Sequence, residues 1–132
     1  SICPTKGFLM PHALDVIHYL RDKYTLTVIT NGFDDIQHIK MSSSNILSYF
    51  NGIITSHKAG HRKPSRQIFE YALNLNEASA GEAIMIGDSL HADMGGARNA
   101  SIDCVYFNPE NIAHQEPVNH EIKCLKELLT IL

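Results

Sequence analysis

No basic run, no long apolar run and no paired-cysteine motif occurs in these 132 residues. The first absence, with a formal charge of −3 and a pI near 6.2, argues against nucleic acid or an anionic membrane held by bulk electrostatics. The second excludes a membrane-spanning helix, which needs about 20 apolar residues. The opening Ser1-Ile2-Cys3-Pro4-Thr5-Lys6 has neither the apolar core of a signal peptide nor an initiator methionine, and it reads as the middle of a longer protein. Cys3, Cys104 and Cys124 are odd in number, widely spaced and without a CxxC pair, so neither a disulfide framework nor a zinc knuckle is suggested. That usage fits a reducing cytoplasm. There is no internal repeat, linker or low-complexity segment, and 44% hydrophobic content is that of an ordinary globular chain, here one domain over residues 1–132.

What is present alternates. His12 to Lys23 carries Ala13, Val16, Ile17 and Leu20 as a helical stripe after Pro11. Leu26 to Ile29 is a β-branched strand bounded by Thr30-Asn31-Gly32, and Asp35 to Leu47 is a weaker helix interrupted by serines. Gly52 to Ser56 reads as a strand, His57 to Pro64 as a polar loop rich in bases, and Ser65 to Leu75 as a helix buried through Ile68, Phe69, Ala72 and Leu73. Asn76 to Glu82 is a loop, Ala83 to Ile86 a strand, Leu90 to Asn99 a helix with Ser89 as its N-cap, and Ile102 to Phe107 a strand. Glu110 to Asn119 is irregular. Ile122, Leu125, Leu128, Leu129 and Leu132 outline a final helix. Helices alternating with strands predict an α/β fold, a Rossmann-like parallel sheet with helices on both faces in three layers.

Such sheets bind ligands at the carboxyl ends of their strands. Asp88 follows the Ala83 strand and Gly87, and Asp93 stands nearby at the start of the next helix. Two carboxylates at one rim suit Mg²⁺, although acids at a helix N-terminus also serve simply as caps. Thr30, Asn31 and Gly32 end another strand and Lys63 closes the basic loop at the same edge. A hydroxyl, an amide, loop N–H groups and a lysine grip phosphoryl oxygens, and the acids hold a cation beside them. A plain turn and a solvated lysine are the bland alternatives. His57 and His61 have no third ligand in ordinary zinc spacing.

At these positions the sequence resembles the haloacid dehalogenase-like hydrolase superfamily. Val28-Ile29-Thr30-Asn31-Gly32 is similar to its second motif, Arg62-Lys63-Pro64 to its third, and Gly87-Asp88-Ser89 through Asp93 with Gly96-Ala97 to its fourth. Gly32-Phe33 with Gln37 and Lys40, and Tyr106-Phe107-Asn108-Pro109, resemble the branch containing pyrimidine 5′-nucleotidases. The resemblance implies a catalytic and substrate-binding role for Thr30 and Lys63, substrate binding by Asn31 and Gly32, and Mg²⁺ at Asp88 with Asp93 ligating or supporting it. It implies a small phosphorylated substrate and no nucleic-acid or membrane partner. Ser101 stands where the family usually has glycine.

The family attacks phosphate with the first aspartate of a DxDx(T/V) strand, and that motif is absent here. The chain therefore resembles the carboxyl-terminal part of such a phosphatase, without its first, central strand and helical cap. That strand would lie between the Leu26 and Ala83 strands, so its loss predicts two bare sheet edges. The rest of the parent protein, a segment swapped from a second copy, or direct closure of the two strands would fill the gap. Three other functions stay open: a non-catalytic phosphate- or nucleotide-binding module, a metal-independent haloacid dehalogenase, and a response-regulator-like domain.

Overall fold

In the computed structural model the described residues are 11–31 and 50–132. Gly32, Phe33, Gln37, Lys40, the helix expected over Asp35 to Leu47 and the opening ten positions lie outside them.

α1 (Pro11–Arg21) starts on proline, whose missing N–H costs nothing in a first turn. It ends where Lys23 and Tyr24 both donate their N–H to the Leu20 carbonyl. β1 (Thr27–Thr30) and β2 (Gly52–Thr55) run parallel, with Val28 opposite Ile53 and Thr30 opposite Thr55. The basic loop after β2 begins as a short helix, α2 (Ser56–Ala59), where the sequence reading has only a loop. Its punctuation explains it: the Thr55 hydroxyl accepts the Lys58 N–H, and Gly60 closes the turn at φ 78°, a left-handed conformation. α3 (Arg66–Leu75) is capped by Ser65, whose Oγ accepts the Gln67 N–H.

β3 (Ile84–Gly87), β4 (Asp103–Phe107) and β5 (His120–Ile122) form a second parallel set. The helix expected over Leu90 to Asn99 is instead a π-helical turn, Leu90–Met94, leading into α4 (Gly95–Asn99). β5 is a further difference. Ile122 lies on a strand and not on the final helix, because it pairs with Phe107 and its carbonyl accepts the Asn108 N–H. The last helix shortens to α5 (Leu128–Ile131). A three-residue strand is too short to show a period of its own.

Apolar residues alternate along β4 to opposite faces. Val105 and Phe107 join Val16, Ile17 and Leu20 of α1 with Ile122 and Leu128, while Cys104 and Tyr106 join Ile68, Phe69 and Ala72 of α3 with Met94 and Ala97. Helices thus cover both faces of the parallel sheet, as the alternation predicts. Among the described residues β1 pairs only with β2 and β3 only with β4, so these two strands do not close on each other. Their apolar residues Val28, Ile29, Ile84, Met85 and Ile86 stay half-buried, whereas Val105 is fully covered. Cys104 is a free buried thiol, but Cys124 is disulfide-bonded. Spacing along a chain does not report distance in space, and the cysteine pattern loses its force as a sign of a reducing compartment.

Candidate active site

The carboxyl ends of β1 and β3 and the loop ahead of α3 meet at one rim, and one ion pair organises it. Lys63 Nζ lies 2.6 Å from Asp93 Oδ1, with the two side chains 12% and 7% exposed. A charge so enclosed needs its partner. The pair is assembled from both directions. The Asn31 amide clamps the lysine's backbone, its Oδ1 accepting the Lys63 N–H at 2.6 Å and its Nδ2 donating to the Lys63 carbonyl at 3.2 Å. Ser56 Oγ in turn donates to the Asn31 carbonyl at 2.8 Å. On the other side Asp93 Oδ2 accepts the Ser89 N–H at 3.2 Å, and Ser89 Oγ accepts the Ala92 N–H at 3.0 Å, the cap the sequence predicts.

The π-helical turn brings Asp93 back over the end of β3. Met94 N–H reaches the Ser89 carbonyl at 3.0 Å, a five-residue step that re-aims the side chain in between. Gly87 permits the approach, because a Cβ there would stand 2.3 Å from Asp93 Oδ2. Gly96 does the same for the lysine loop: a Cβ would meet the Phe69 ring at 2.3 Å and Pro64 Cα at 3.2 Å. Asn99 Nδ2 then donates to the Pro64 carbonyl at 3.1 Å.

Thr30 is buried at the last position of β1. Asp88 differs from every other member of the group: it is exposed, and its carboxylate has no hydrogen bond or ion pair among the described residues. A hard, unengaged oxygen donor at a strand end fits Mg²⁺, which is typically held by one or two protein carboxylates with water and substrate completing the shell. The described residues include no group of three or more His, Cys, Asp or Glu that could enclose a metal by itself. Both polar atoms of the Asn31 side chain are engaged with the Lys63 backbone.

The sequence reading missed a network at the end of β4. Asn108, fully buried, donates through Nδ2 to the Ile112 carbonyl at 2.9 Å and to Glu121 Oε2 at 3.0 Å, while its Oδ1 accepts the Ile112 N–H. His114 Nε2 lies 2.6 Å from Glu121 Oε1, and its Nδ1 accepts the Glu116 N–H at 3.1 Å. Hydrogen bonds from His114 and Asn108 hold the Glu121 carboxyl below its ordinary pKa. Asn108 directly after a strand was the available signal. Its partners come from a loop without periodicity and from the three-residue β5.

The sequence pattern described as haloacid dehalogenase-like hydrolase matches residues 6–107. The chain belongs to this family. Among similar proteins, the HAD-hydrolase YfnB of Bacillus subtilis is 33% identical over 94% of this chain and 54% of its own length. The pyrimidine 5′-nucleotidase PynA of Streptococcus pneumoniae is 31% identical over 96% of this chain and 55% of its own. The crystal structure of YfnB bound to magnesium superposes with a TM-score of 0.82 over 91% of this chain and 54% of that one, at 31% identity. A 2-haloacid dehalogenase from Pseudomonas syringae gives 0.81 over 92% and 51%, at 27% identity. The chain spans about half the length of the curated relatives it matches. Among the described residues no helix is long and apolar enough to cross a membrane.

Proposed function

We propose that residues 1–132 are the phosphate- and Mg²⁺-binding core of a phosphomonoester hydrolase whose nucleophilic aspartate stands on a strand outside this sequence, in the space between β1 and β3. The observation that carries it is the division of labour at the rim, where Asp93 is spent on Lys63 and Asp88 is left unengaged. Asp88 would hold the cation, with Asp93 supporting the site through Lys63. When bound, Mg²⁺ supplies positive charge against the phosphoryl oxygens. Lys63 adds a second positive charge, held where Asn31 and Asp93 place it, and the strand end at Thr30 and Asn31 would complete the grip on the same oxygens. A small phosphorylated molecule, a nucleotide among them, fits the chemistry, and the nucleotidase PynA among the relatives supports that class.

The likeness to the Pseudomonas dehalogenase favours a second reading, halide displacement without a metal. One experiment separates these and also tests for a non-catalytic binding module. In the full-length protein, Asp88→Asn should lower phosphatase activity by at least about 10²-fold, the usual scale for losing a charge-stabilising group. Because the Asp88 carboxylate makes no hydrogen bond or ion pair among the described residues, stability should change by no more than about 0.5 kcal/mol. Phosphatase activity that persists in the variant at saturating Mg²⁺ would remove the assignment, and dehalogenase activity without added metal would favour the second reading. Wild-type protein that binds phosphate but turns nothing over would leave the binding module.

A further inference from the structure

Of the loop rich in bases, the rim uses only Lys63. Residues 56–66 hold four of the chain's 11 lysines and arginines, Lys58, Arg62, Lys63 and Arg66, and none of its 14 acids. In a chain of net charge −3 that is a local reversal of sign. Lys63 is paired with Asp93, and Arg66 with Glu70 at 3.1 Å. The other two cations differ. Lys58 and Arg62 are exposed, and neither side chain makes an ion pair or hydrogen bond among the described residues.

This loop is fastened to the rim at both ends, and by one residue. Ser56 Oγ donates to the Asn31 carbonyl at 2.8 Å, while the Lys63 N–H donates to Asn31 Oδ1 at 2.6 Å. Thr55, whose Oγ1 accepts the Lys58 N–H, is the register partner of Thr30. On the other side the Arg62 carbonyl accepts the Ser65 N–H at 2.8 Å. Chain connectivity then bounds the distances: at about 3.8 Å between successive Cα atoms, the backbone of Lys58 lies within about 8 Å of Ser56 and that of Arg62 within about 4 Å of Lys63. Both separations are no greater than the Debye length, about 8–10 Å at ordinary salt. Exposed side chains change rotamer within nanoseconds, so neither cation needs a fixed direction to meet an anion at this rim.

We propose that Lys58 and Arg62 are specificity-determining residues that favour phosphomonoesters carrying a second anionic group, a carboxylate or a further phosphate, besides the phosphoryl that reacts. The inference rests on the rim as a phosphoryl site. There Lys63 and the cation at Asp88 meet the reacting group. The two unengaged cations, set off from Lys63 by one residue and from Asn31 by one short helical turn, meet charge that lies a few ångströms further along the substrate. Arg62 offers a bidentate fork to either anion, and Lys58 a mobile point charge. A neutral group in the same place leaves both cations in water and gains nothing from them.

The test is calorimetric titration of the full-length protein in Mg²⁺ with three phosphonates that cannot be hydrolysed: propylphosphonate, 3-phosphonopropionate and propane-1,3-bisphosphonate. They share a three-carbon chain and differ at its far end, which carries no charge, a carboxylate or a second phosphonate. We expect the wild type to hold the two diacids about 10-fold more tightly than propylphosphonate, the scale of one charge-assisted hydrogen bond. In the double variant Lys58→Met with Arg62→Met that ratio should fall toward one, with propylphosphonate affinity and melting temperature unchanged, because neither side chain has a partner to lose. Each single variant should show part of the fall. Lys23→Met, on the amino-terminal side of β1, removes a charge elsewhere and should leave the ratio as it is. Preference for only one of the two diacids would support the proposal and name the anion. A wild-type ratio near one, a ratio kept in the double variant, or an equal fall in Lys23→Met would overturn this proposal alone. A ratio that falls only together with the melting temperature would make the two residues structural and would overturn it as well. Wild-type protein that binds none of the three compounds would overturn the rim as a phosphoryl site, and this proposal with it.

Discussion

The Lys63–Asp93 pair is where single residues decide most. Each side chain is nearly enclosed, so removing one partner leaves a buried charge without compensation, at a cost of about 3–5 kcal/mol. Asp93→Ala should therefore lower the urea midpoint sharply. The double variant Lys63→Met with Asp93→Leu should recover much of the loss, because two apolar groups of similar size leave no orphaned charge. A double variant less stable than either single one would show that the pair itself holds α3 and α4 together. Asn31 acts at the same scale by fixing the backbone of Lys63, so the lysine's aim depends on a residue far away in sequence.

Among the elements, the end of α4 is built to a rule that one residue breaks. Ser101 N–H bonds the Arg98 carbonyl at 3.1 Å and Ile102 N–H the Ala97 carbonyl at 2.9 Å, the double closure of a Schellman motif. The residue between must be left-handed, and Ser101 has φ 60°. An L-residue pays about 1–2 kcal/mol in that conformation, which gives a physical reason for the glycine usual here. Ser101→Gly should raise stability by about 1 kcal/mol, less what glycine loses in unfolded-chain entropy, and an unchanged or lower melting temperature would contradict the motif. The Asn108–Glu121–His114 network ties the loop after β4 to β5 in a pH-dependent way. The folded-state pKa of Glu121 is lowered, so its contribution is present above the ordinary glutamate value and fades as pH falls through the folded one. Glu121→Gln should melt below wild type at pH 7, and the difference should shrink as the solution is taken below about pH 4. A constant gap across that range would assign the effect to packing.

For the whole molecule, the decisive feature is that β1 and β3 do not pair with each other among the described residues. On the proposed function, a further parallel strand between them would cover the half-buried Val28, Ile29, Ile84 and Ile86 and complete the site. The 132-residue chain assayed with Mg²⁺ and a chromogenic phosphomonoester should show no turnover, since on the proposed function neither rim aspartate among the described residues is left to attack: Asp93 is paired with Lys63 and Asp88 is assigned to the cation. Adding separately expressed polypeptide with the family's DxDx(T/V) strand and cap should restore activity. Metal-dependent turnover by the chain alone would place the nucleophile within these residues.

Periodicity and punctuation by themselves determined the alternation of helices and parallel strands, the burial of α3 through Ile68 and Phe69, the Ser89 cap and the position of Asp88 just beyond an apolar strand. Each is a local property, set by neighbours within a turn or a strand. Tertiary structure alone decided that Lys63 faces Asp93, that the Asn31 amide is spent on the lysine's backbone and that Ile122 belongs to a strand. Those facts join segments separated in sequence, and they depend on which backbones pack closely enough to meet. The close approaches at Gly87 and Gly96 settle that, and they become visible only when the atoms a Cβ would strike are in place.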